Sequence, residues 1–219
     1  MTKETLKALR IIVPGVISIV LIYPLFMREL TVQSMLDVSC AVSIVGGLTL
    51  GAFLGGLYYI LNLRRPFIKR PTTDIQGNIK TQLLQMCDDD TSTEGERLRE
   101  GRTLMHIFYD LVDNDASLTE KAKSVRLNGL MWSSSADAMA ISLIASAIFT
   151  IAACFSSRAH YSYWAVLCLV TFIFANVSLL TLTKRHIDLS NQQLELIRLK
   201  YASEVSKKIA AAAKGTRDA

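Results

Sequence analysis

The chain has 219 residues, of which 51 % are hydrophobic and 20 % are charged, and its formal net charge at pH 7 is +5. This composition argues against a soluble enzyme with a large water-facing surface. The four cysteines show no C-x-x-C spacing, so neither a disulfide framework nor a zinc ribbon is expected.

Four long segments of the sequence carry no charged residue. They cover residues 11–27, 38–63, 138–157 and 159–183, and they contain 17, 26, 20 and 25 residues. A helix needs about 20 apolar residues to cross the hydrocarbon core of a bilayer. The sequence therefore predicts an all-α integral membrane protein with four transmembrane helices. The predicted parts are a first helix pair (1–63), a cytoplasmic helical insert (64–130), a second helix pair (131–183) and a cytoplasmic C-terminal amphipathic helix (184–219).

The first apolar segment is the shortest, and it contains Pro14 and Pro24. A cleaved signal peptide is the alternative interpretation, because lysine and arginine precede the segment. However, residues 26–29 read Phe-Met-Arg-Glu and offer no small-x-small cleavage site. We therefore predict a retained helix, in which neighbouring helices satisfy the backbone groups that proline frees.

The positions of lysine and arginine predict the orientation of the chain. Of the 24 such residues, 22 lie in the N-terminal arm, the insert and the tail, and the other two are Arg28 and Arg158. Because positive charge accumulates on the cytoplasmic side, both termini and the insert are expected inside. The insert itself is balanced between acidic and basic residues, so direct nucleic-acid binding is not expected. The basic residues expected to meet anionic lipid at the membrane exits are Arg64, Arg65, Lys69, Arg70, Lys184 and Arg185.

The insert predicts three short amphipathic helices. Thr73 and Gln76 have the spacing of a capping box that begins the first helix, and Ser117 and Glu120 have the same spacing at the third. Because such short helices bury little surface alone, we expect them to pack on membrane-proximal helix ends, on sister subunits or on a partner. The apolar positions of the first two helices are Ile75, Ile79, Leu83, Leu98, Met105, Phe108 and Val112.

The tail has neither glycine nor proline from Lys184 to Ala213, which predicts one long helix continuous with the fourth span. Its apolar stripe contains Leu194, Ile197, Tyr201 and Val205, which we interpret as contacts with a partner or with the tails of sister subunits in a homo-oligomer. A single amphipathic helix lying on the membrane is the alternative.

Three glycines spaced four residues apart, Gly47, Gly51 and Gly55, lie on one face of the second span. Such a ladder lets two helix backbones approach closely in the membrane, although chance enrichment of glycine would look the same. We expect a bulky residue at Gly51 to disrupt assembly more than one at Gly15.

Asp137 stands at the start of the third apolar segment in a serine-rich stretch. A carboxylate there is costly unless it faces water, a partner or a pore. Together with Ser134, Ser142 and Asn176, it predicts a polar site or pore lining. The alternative is a boundary residue at the level of the lipid headgroups.

No motif in the sequence indicates an enzyme. The catalytic serine elbow, the phosphate-binding loop and the dinucleotide-binding glycine pattern are all missing from the sequence. Residues 113–117 have the oxygen-rich start of a calcium loop, but Leu118 and Ser124 occupy the positions that need glycine and glutamate. His106, His160 and His186 form no metal-binding pattern. We therefore predict no catalytic residue, no cofactor and no metal.

The plan of two spans, a helical insert, two spans and a helical tail resembles the small four-span membrane subunits of bacterial phage-defence systems, the Kiwa type above all. The stretch from Phe108 to Asp115, with Asn128 and Gly129, looks family-specific. The resemblance implies an oligomer in the bacterial inner membrane that recruits a cytoplasmic effector acting on phage DNA. The plan is also similar to bestrophin-type anion channels.

Three functions follow in order of preference. The first is an oligomeric scaffold or sensor that presents cytoplasmic helices to a soluble partner protein. The second is an ion channel or membrane-disrupting pore, favoured by Asp137 and Asn176. The third is a transporter, which the lack of an inverted hydropathy repeat argues against.

Overall fold

The computed structural model describes residues 3–26, 44–87, 97–156 and 158–215, and side chains within 4–25, 50–87, 97–156 and 158–213. Regular structure in these residues is entirely helical. The helices with described bounds are α1 (Lys3–Ile22), α2 (Ile44–Leu61), α3 (Arg65–Leu84), α4 (Thr103–Asn114), α5 (Ala116–Phe155) and α6 (Ala159–Gly215), and a short 3-10 helix (Tyr23–Phe26) follows α1.

The chain divides into two compact units. Unit 1 consists of Met1–Lys69 and Leu130–Thr181, and unit 2 consists of Arg70–Gly129 and Leu182–Ala219. The boundary between the units falls inside α3, α5 and α6, so each of these helices contributes to both units.

Unit 1 carries the apolar helices. Among the described residues, three helices are long and apolar enough to cross a membrane: Glu4–Leu25, Ala116–Phe155 and Ala159–Ala213. Large apolar side chains are exposed on them, including Phe155 at 88 % and Phe174 at 71 %. Apolar surface of this extent is costly in water and matches a lipid environment, so the structure is compatible with a membrane protein. The structure describes the predicted second span only from residue 44. Within it, Leu50–Leu61 is a shorter apolar helix than the three above.

Aromatic side chains hold the core of unit 1 together. Phe149 of α5 is fully buried and packs edge-on against Trp164 of α6, with 6.2 Å between ring centroids. The indole nitrogen of Trp164 donates a 3.0 Å hydrogen bond to the backbone oxygen of Leu21 in α1. Because a buried indole N–H needs a partner, this bond fixes α1 against α6.

Unit 2 has a hydrophobic core of its own. Leu83 of α3, Leu104 of α4, and Leu194, Ile197 and Val205 of α6 are all fully buried in it. The apolar positions predicted for the insert all belong to this core: Ile75, Ile79, Leu83, Leu98, Met105, Phe108 and Val112. The amphipathic helices of the insert therefore bury their apolar faces against the tail of the same chain.

Amide side chains add a specific contact between α3 and α6 in unit 2. The side-chain oxygen of Asn191 accepts hydrogen bonds from the amide nitrogens of Asn78, at 2.7 Å, and Gln82, at 2.6 Å. A half-buried amide must meet its partners in one register, so this group fixes how α3 lies along α6.

The first helix of the insert begins earlier than the sequence suggests. α3 starts at Arg65, so Thr73 and Gln76 lie in its interior and do not form a capping box. Pro66 stands in the first turn, where a missing N–H costs nothing. The helix-starting signal is therefore this proline, and the spacing of Thr73 and Gln76 is coincidental.

The third helix of the insert is not a separate element. It belongs to α5, a 40-residue helix that continues through Gly129 into unit 1. Its N-cap is Asp115, whose Oδ1 accepts a 2.8 Å hydrogen bond from the backbone N–H of Leu118. The predicted start at Ser117 is therefore displaced to Asp115, because a carboxylate satisfies the free N–H groups of the first turn.

Candidate functional site: a buried ion pair in unit 1

The most unusual polar group of unit 1 is the carboxylate of Asp137. It lies on α5 and is only 1 % exposed, with the small side chains of Ala136 and Ala140 beside it on the same buried face. A charge in such surroundings is costly unless another charge compensates it. Asp137 is therefore a candidate functional residue on physical grounds.

Arg64 supplies the compensating charge. Its Nη1 lies 3.7 Å from Oδ2 of Asp137, and its side chain is 14 % exposed. Arg64 is placed by the turn that follows α2, in which Asn62 has a φ of 50°. Asparagine tolerates this left-handed conformation better than most residues, so it ends α2 and directs the chain towards Asp137.

Two further residues surround the pair. The hydroxyl of Tyr58, a residue that is 5 % exposed on α2, lies beside the carboxylate of Asp137, and Arg10 of α1 adds a second positive charge nearby. The guanidinium of Arg64 also lies over the ring of Tyr59, 5.8 Å from its centroid. Groups from α1, α2 and the turn after α2 thus converge on one carboxylate of α5.

The cluster is only partly hydrogen-bonded. In the part of the chain that the structure describes, neither the Tyr58 hydroxyl nor Oδ1 of Asp137 makes a hydrogen bond. A buried polar atom without a partner costs free energy, so the Arg64–Asp137 pair carries the compensation of the buried charge. Because the groups around Asp137 come from four elements, a change in this pair should affect the packing of all four.

The other predicted polar residues have different surroundings. Ser142 is fully buried, and its hydroxyl donates to the backbone oxygen of Met139 at 3.2 Å. Ser134 is half-buried, and Asn176 is exposed on α6. Asp137 faces the protein interior and an arginine, and its role as part of a polar path or as a boundary residue stays a prediction.

The glycines of α2 lie against α1. A Cβ atom on Gly55 would come within 1.8 Å of the backbone oxygen of Ile11, and one on Gly15 within 1.7 Å of the backbone oxygen of Gly51. A Cβ on Gly51 itself would meet only ordinary contacts, the nearest at 3.6 Å. The surroundings of Gly47 lie outside the described residues.

Within this chain the tighter position is therefore Gly15 and not Gly51, and the effect of a bulky residue at either position on assembly stays a prediction. The Cα hydrogen of Gly15 points at the opposite backbone, whereas that of Gly51 points beside Val16, where space remains. The closest approach of the two backbones depends on Gly15 of α1 and Gly55 of α2. The glycine repeat lies in α2 alone, so it does not indicate that Gly15 is also needed.

The apolar stripe of the tail is covered by the chain itself. Leu194, Ile197 and Val205 are fully buried against α3 and α4 in unit 2, and Tyr201 packs against the same core. This corrects the interpretation of Leu194, Ile197 and Val205 as contacts with a partner or with sister subunits, because none of their surface is left for either. Tyr201 is half-buried, and its contact with another protein stays a prediction. An apolar stripe can be buried equally well by the same chain, by a sister subunit or by a partner. The sequence alone therefore does not indicate which of these covers it.

The structure also corrects the expected role of Arg64, which pairs with Asp137 and does not face outward. The remaining basic residues predicted to meet lipid are all exposed: Arg65, Lys69, Arg70, Lys184 and Arg185. Their contact with anionic lipid stays a prediction.

Sequence reasoning missed Tyr58, Arg10 and Gly15 as members of these sites. Asn62 is the one sequence feature that indicates part of this site. A single asparagine after an apolar helix is typical of a left-handed helix end, so it predicts the turn that precedes Arg64. Among the described residues, no group of three or more His, Cys, Asp or Glu side chains is placed to hold a metal ion. Comparisons with protein-family models, with curated proteins and with solved structures find no match to this chain.

Proposed function

We propose that this chain is a four-span subunit of the bacterial inner membrane, with both termini in the cytoplasm, that presents unit 2 to a soluble protein partner. In this proposal it assembles as a homo-oligomer and serves as a scaffold or sensor in defence against phage. The observation that carries the proposal is the separate hydrophobic core of unit 2, built from the insert and the tail. A folded module of this kind can offer a surface to another protein, whereas three isolated short helices cannot.

The surface charge of the two units supports the orientation. Unit 1 exposes large apolar side chains, while 22 of the 24 lysine and arginine residues lie in segments that the proposal places inside. The polypeptide passes between the two units within α3, α5 and α6, each time without leaving the helical conformation. This matches helices that leave a membrane and continue into the cytoplasm.

The contact with a partner has to use exposed side chains of unit 2, since the stripe of the tail is buried. In the part of unit 2 whose side chains are described, three large apolar side chains are exposed: Leu199 at 76 %, Tyr109 at 53 % and Leu127 at 52 %. Exposed aromatic and aliphatic side chains are frequent anchors in protein interfaces. We propose these residues as the first positions to test for recruitment.

Reporter fusions test the topology. An alkaline phosphatase fused after Arg70 or after Lys214 should be inactive, because both sites are expected in the cytoplasm, and fusions near Ser34 and Ala159 should be active. A cytoplasmic signal near Ser34 would remove the first span and overturn the arrangement.

A recruitment assay tests the scaffold role. A soluble partner protein from the native host should co-purify with the wild-type membrane protein, and Leu199→Glu should weaken that association without lowering the thermal midpoint of the membrane protein. Lys207→Glu, an exposed change on the same helix, is the matched control. Undiminished phage resistance in cells that carry all three surface variants, Leu199→Glu, Tyr109→Glu and Leu127→Glu, would count against the scaffold role.

A channel is the second candidate, and the buried Arg64–Asp137 pair is the observation that favours it. Charges inside the membrane region often mark ion pathways. Asp137→Asn should then change the conductance or ion preference of the purified protein in a planar bilayer. On the scaffold proposal, wild-type protein shows no conductance in the same measurement.

A further inference from the structure

A polar groove on unit 2 lies between α3 and residues 97–101. It is lined by Thr73, Gln76, Gly77, Lys80, Thr81 and Arg99. Two of these side chains are positively charged, none of the six is acidic, and the others bring hydroxyl and amide groups. Guanidinium, ammonium and hydroxyl groups together are the donors that recognise phosphate in proteins.

The two cations are held in place from within the chain. The ammonium group of Lys80 donates to the backbone oxygens of Arg99, at 2.6 Å, and Gly101, at 2.9 Å. The guanidinium of Arg99 donates to the hydroxyl of Thr81 at 2.8 Å. Within the described residues these bonds use one of the five donors of Arg99 and two of the three donors of Lys80, so positioned donors are left there for a ligand.

Gly77 forms the part of the groove contributed by the backbone of α3. Glycine in the middle of a helix is less stable than alanine, and packing within the chain does not require it here, since a Cβ atom on Gly77 would meet nothing within 4 Å. Glycine also appears where a ligand approaches a backbone closely. The residue is exposed and lies one helical turn from Lys80 and Thr81.

We propose that this groove binds a phosphate group, with Arg99 and Lys80 as its charged donors and Gly77 leaving room for close approach to α3. The phosphate belongs either to a soluble small molecule or to a lipid headgroup, and both offer the same chemistry to the groove. The site does not depend on the partner proposed above.

The test uses the full chain in nanodiscs of phosphatidylcholine, titrated with inorganic pyrophosphate by isothermal calorimetry. Saturable binding is expected, and Arg99→Gln should weaken it about tenfold, the effect of losing one charge-assisted contact. Arg198→Gln removes the same charge from an exposed position outside the groove and should leave binding unchanged. If wild-type protein shows no saturable binding, or if both variants weaken it equally, the proposal is wrong.

Gly77→Ala gives an independent readout, because stability and binding should move in opposite directions. The added methyl group should raise the thermal midpoint by about 2–4 °C and weaken pyrophosphate binding several-fold. Gly56→Ala, another helical glycine with open space around its Cβ position, should leave binding unchanged. Unchanged binding in Gly77→Ala would overturn the assignment of the groove.

Adding phosphatidylglycerol to the nanodiscs distinguishes the two sources of phosphate. If the headgroup occupies the groove, pyrophosphate binding should weaken in proportion to the phosphatidylglycerol content, and Arg99→Gln should remove this competition. If pyrophosphate binding is the same in both lipids, the ligand is soluble.

Discussion

The hydroxyl of Tyr201 donates a 2.8 Å hydrogen bond to the carboxylate of Asp115, so the residue that caps α5 also holds the tail of α6. Lys200 contributes an ion pair to the same carboxylate at 3.3 Å. The hydroxyl of Ser117, the backbone N–H of Leu118 and the hydroxyl of Tyr201 hold the pKa of Asp115 well below its usual range. One side chain thereby joins the start of one helix to the end of another within unit 2.

Replacing Asp115 with alanine should lower the thermal midpoint of the protein and expose the tail to proteolysis, because the N-cap and the contact with Tyr201 are lost together. Glu120→Ala removes an exposed acidic residue that lies just after the first turn of the same helix and should change the midpoint little. Differential scanning fluorimetry in detergent and limited trypsin digestion measure both effects. Equal midpoints for the two variants would show that Asp115 does not fasten the tail.

The crossing of α1 and α2 predicts an asymmetry between two glycines. Gly15→Ala places a methyl group against the backbone oxygen of Gly51 and should destabilise the protein by about 1–3 kcal/mol, the cost of overpacking. Gly51→Ala meets only ordinary contacts and should be nearly neutral. Thermal midpoints in detergent check the order of the two variants, and a larger loss in Gly51→Ala than in Gly15→Ala would contradict the geometry.

The ion pair of unit 1 predicts strong coupling between its members. Asp137→Asn and Arg64→Gln each leave one buried charge without its partner and should destabilise the protein by about 3 kcal/mol or more. The double variant should lose less than the sum of the two single losses. A double-mutant cycle of unfolding free energies measures this, and additive losses would show that the two charges do not interact.

Two neighbouring tail residues predict opposite outcomes. Ile197 is fully buried, and Ile197→Ala should cost about 2–5 kcal/mol. Leu199, two positions later, is 76 % exposed, and Leu199→Ala should change stability by no more than about 0.5 kcal/mol. Protease resistance of unit 2 separates the two variants. Equal sensitivity of Leu199→Ala and Ile197→Ala would restore the interpretation in which the tail packs on another subunit.

A histidine in unit 2 predicts a pH dependence near neutrality. The side-chain nitrogen of Asn128 donates to the backbone oxygen of Leu182 at 3.0 Å and lies 3.3 Å from Nδ1 of His186. Since an amide nitrogen only donates, this contact is a hydrogen bond when Nδ1 accepts, which requires the neutral ring. Burial lowers the pKa of His186 below 6.5, so the unfolded chain takes up a proton at higher pH than the folded chain.

Stability should therefore fall as the pH drops below about 6.5 and level off below the pKa of the folded state. His186→Gln keeps an acceptor beside Asn128 and does not titrate, so its thermal midpoint should decline less between pH 7.5 and pH 5.5. A variant whose midpoint follows the wild-type curve throughout that range would exclude His186 as the source.

Helical periodicity and uncharged segments predict which residues form helices and which face inward. Ile79 and Leu83 lie on the buried face of α3, as their spacing indicates, because a 3.6-residue period leaves little choice of face. The periodicity does not indicate which surface packs against each buried face. Ile197 would be equally well buried by a sister subunit, and Arg64 would be equally well solvated by lipid headgroups.

Residues brought together from different helices left no periodic signal. Arg64 reaches Asp137 from the turn in which Asn62 ends α2, and Tyr58 lies beside Asp137 because of how α2 and α5 pack. Gly15 is a lone glycine in α1 and becomes important only through its position opposite Gly51. Contacts of this kind depend on how helices cross, and local spacing does not encode that.

The core of unit 2 joins residues that the ribosome makes far apart in time. Leu83 and Leu194 are both fully buried in it, yet more than one hundred residues separate them in the sequence. Synthesis proceeds at about 5–20 residues per second. The apolar face of α3 therefore stays uncovered for roughly 5–20 seconds, until the part of α6 that packs on it has been made. Nascent chains of this protein should therefore depend on a chaperone during that interval, and chains that end early should be degraded.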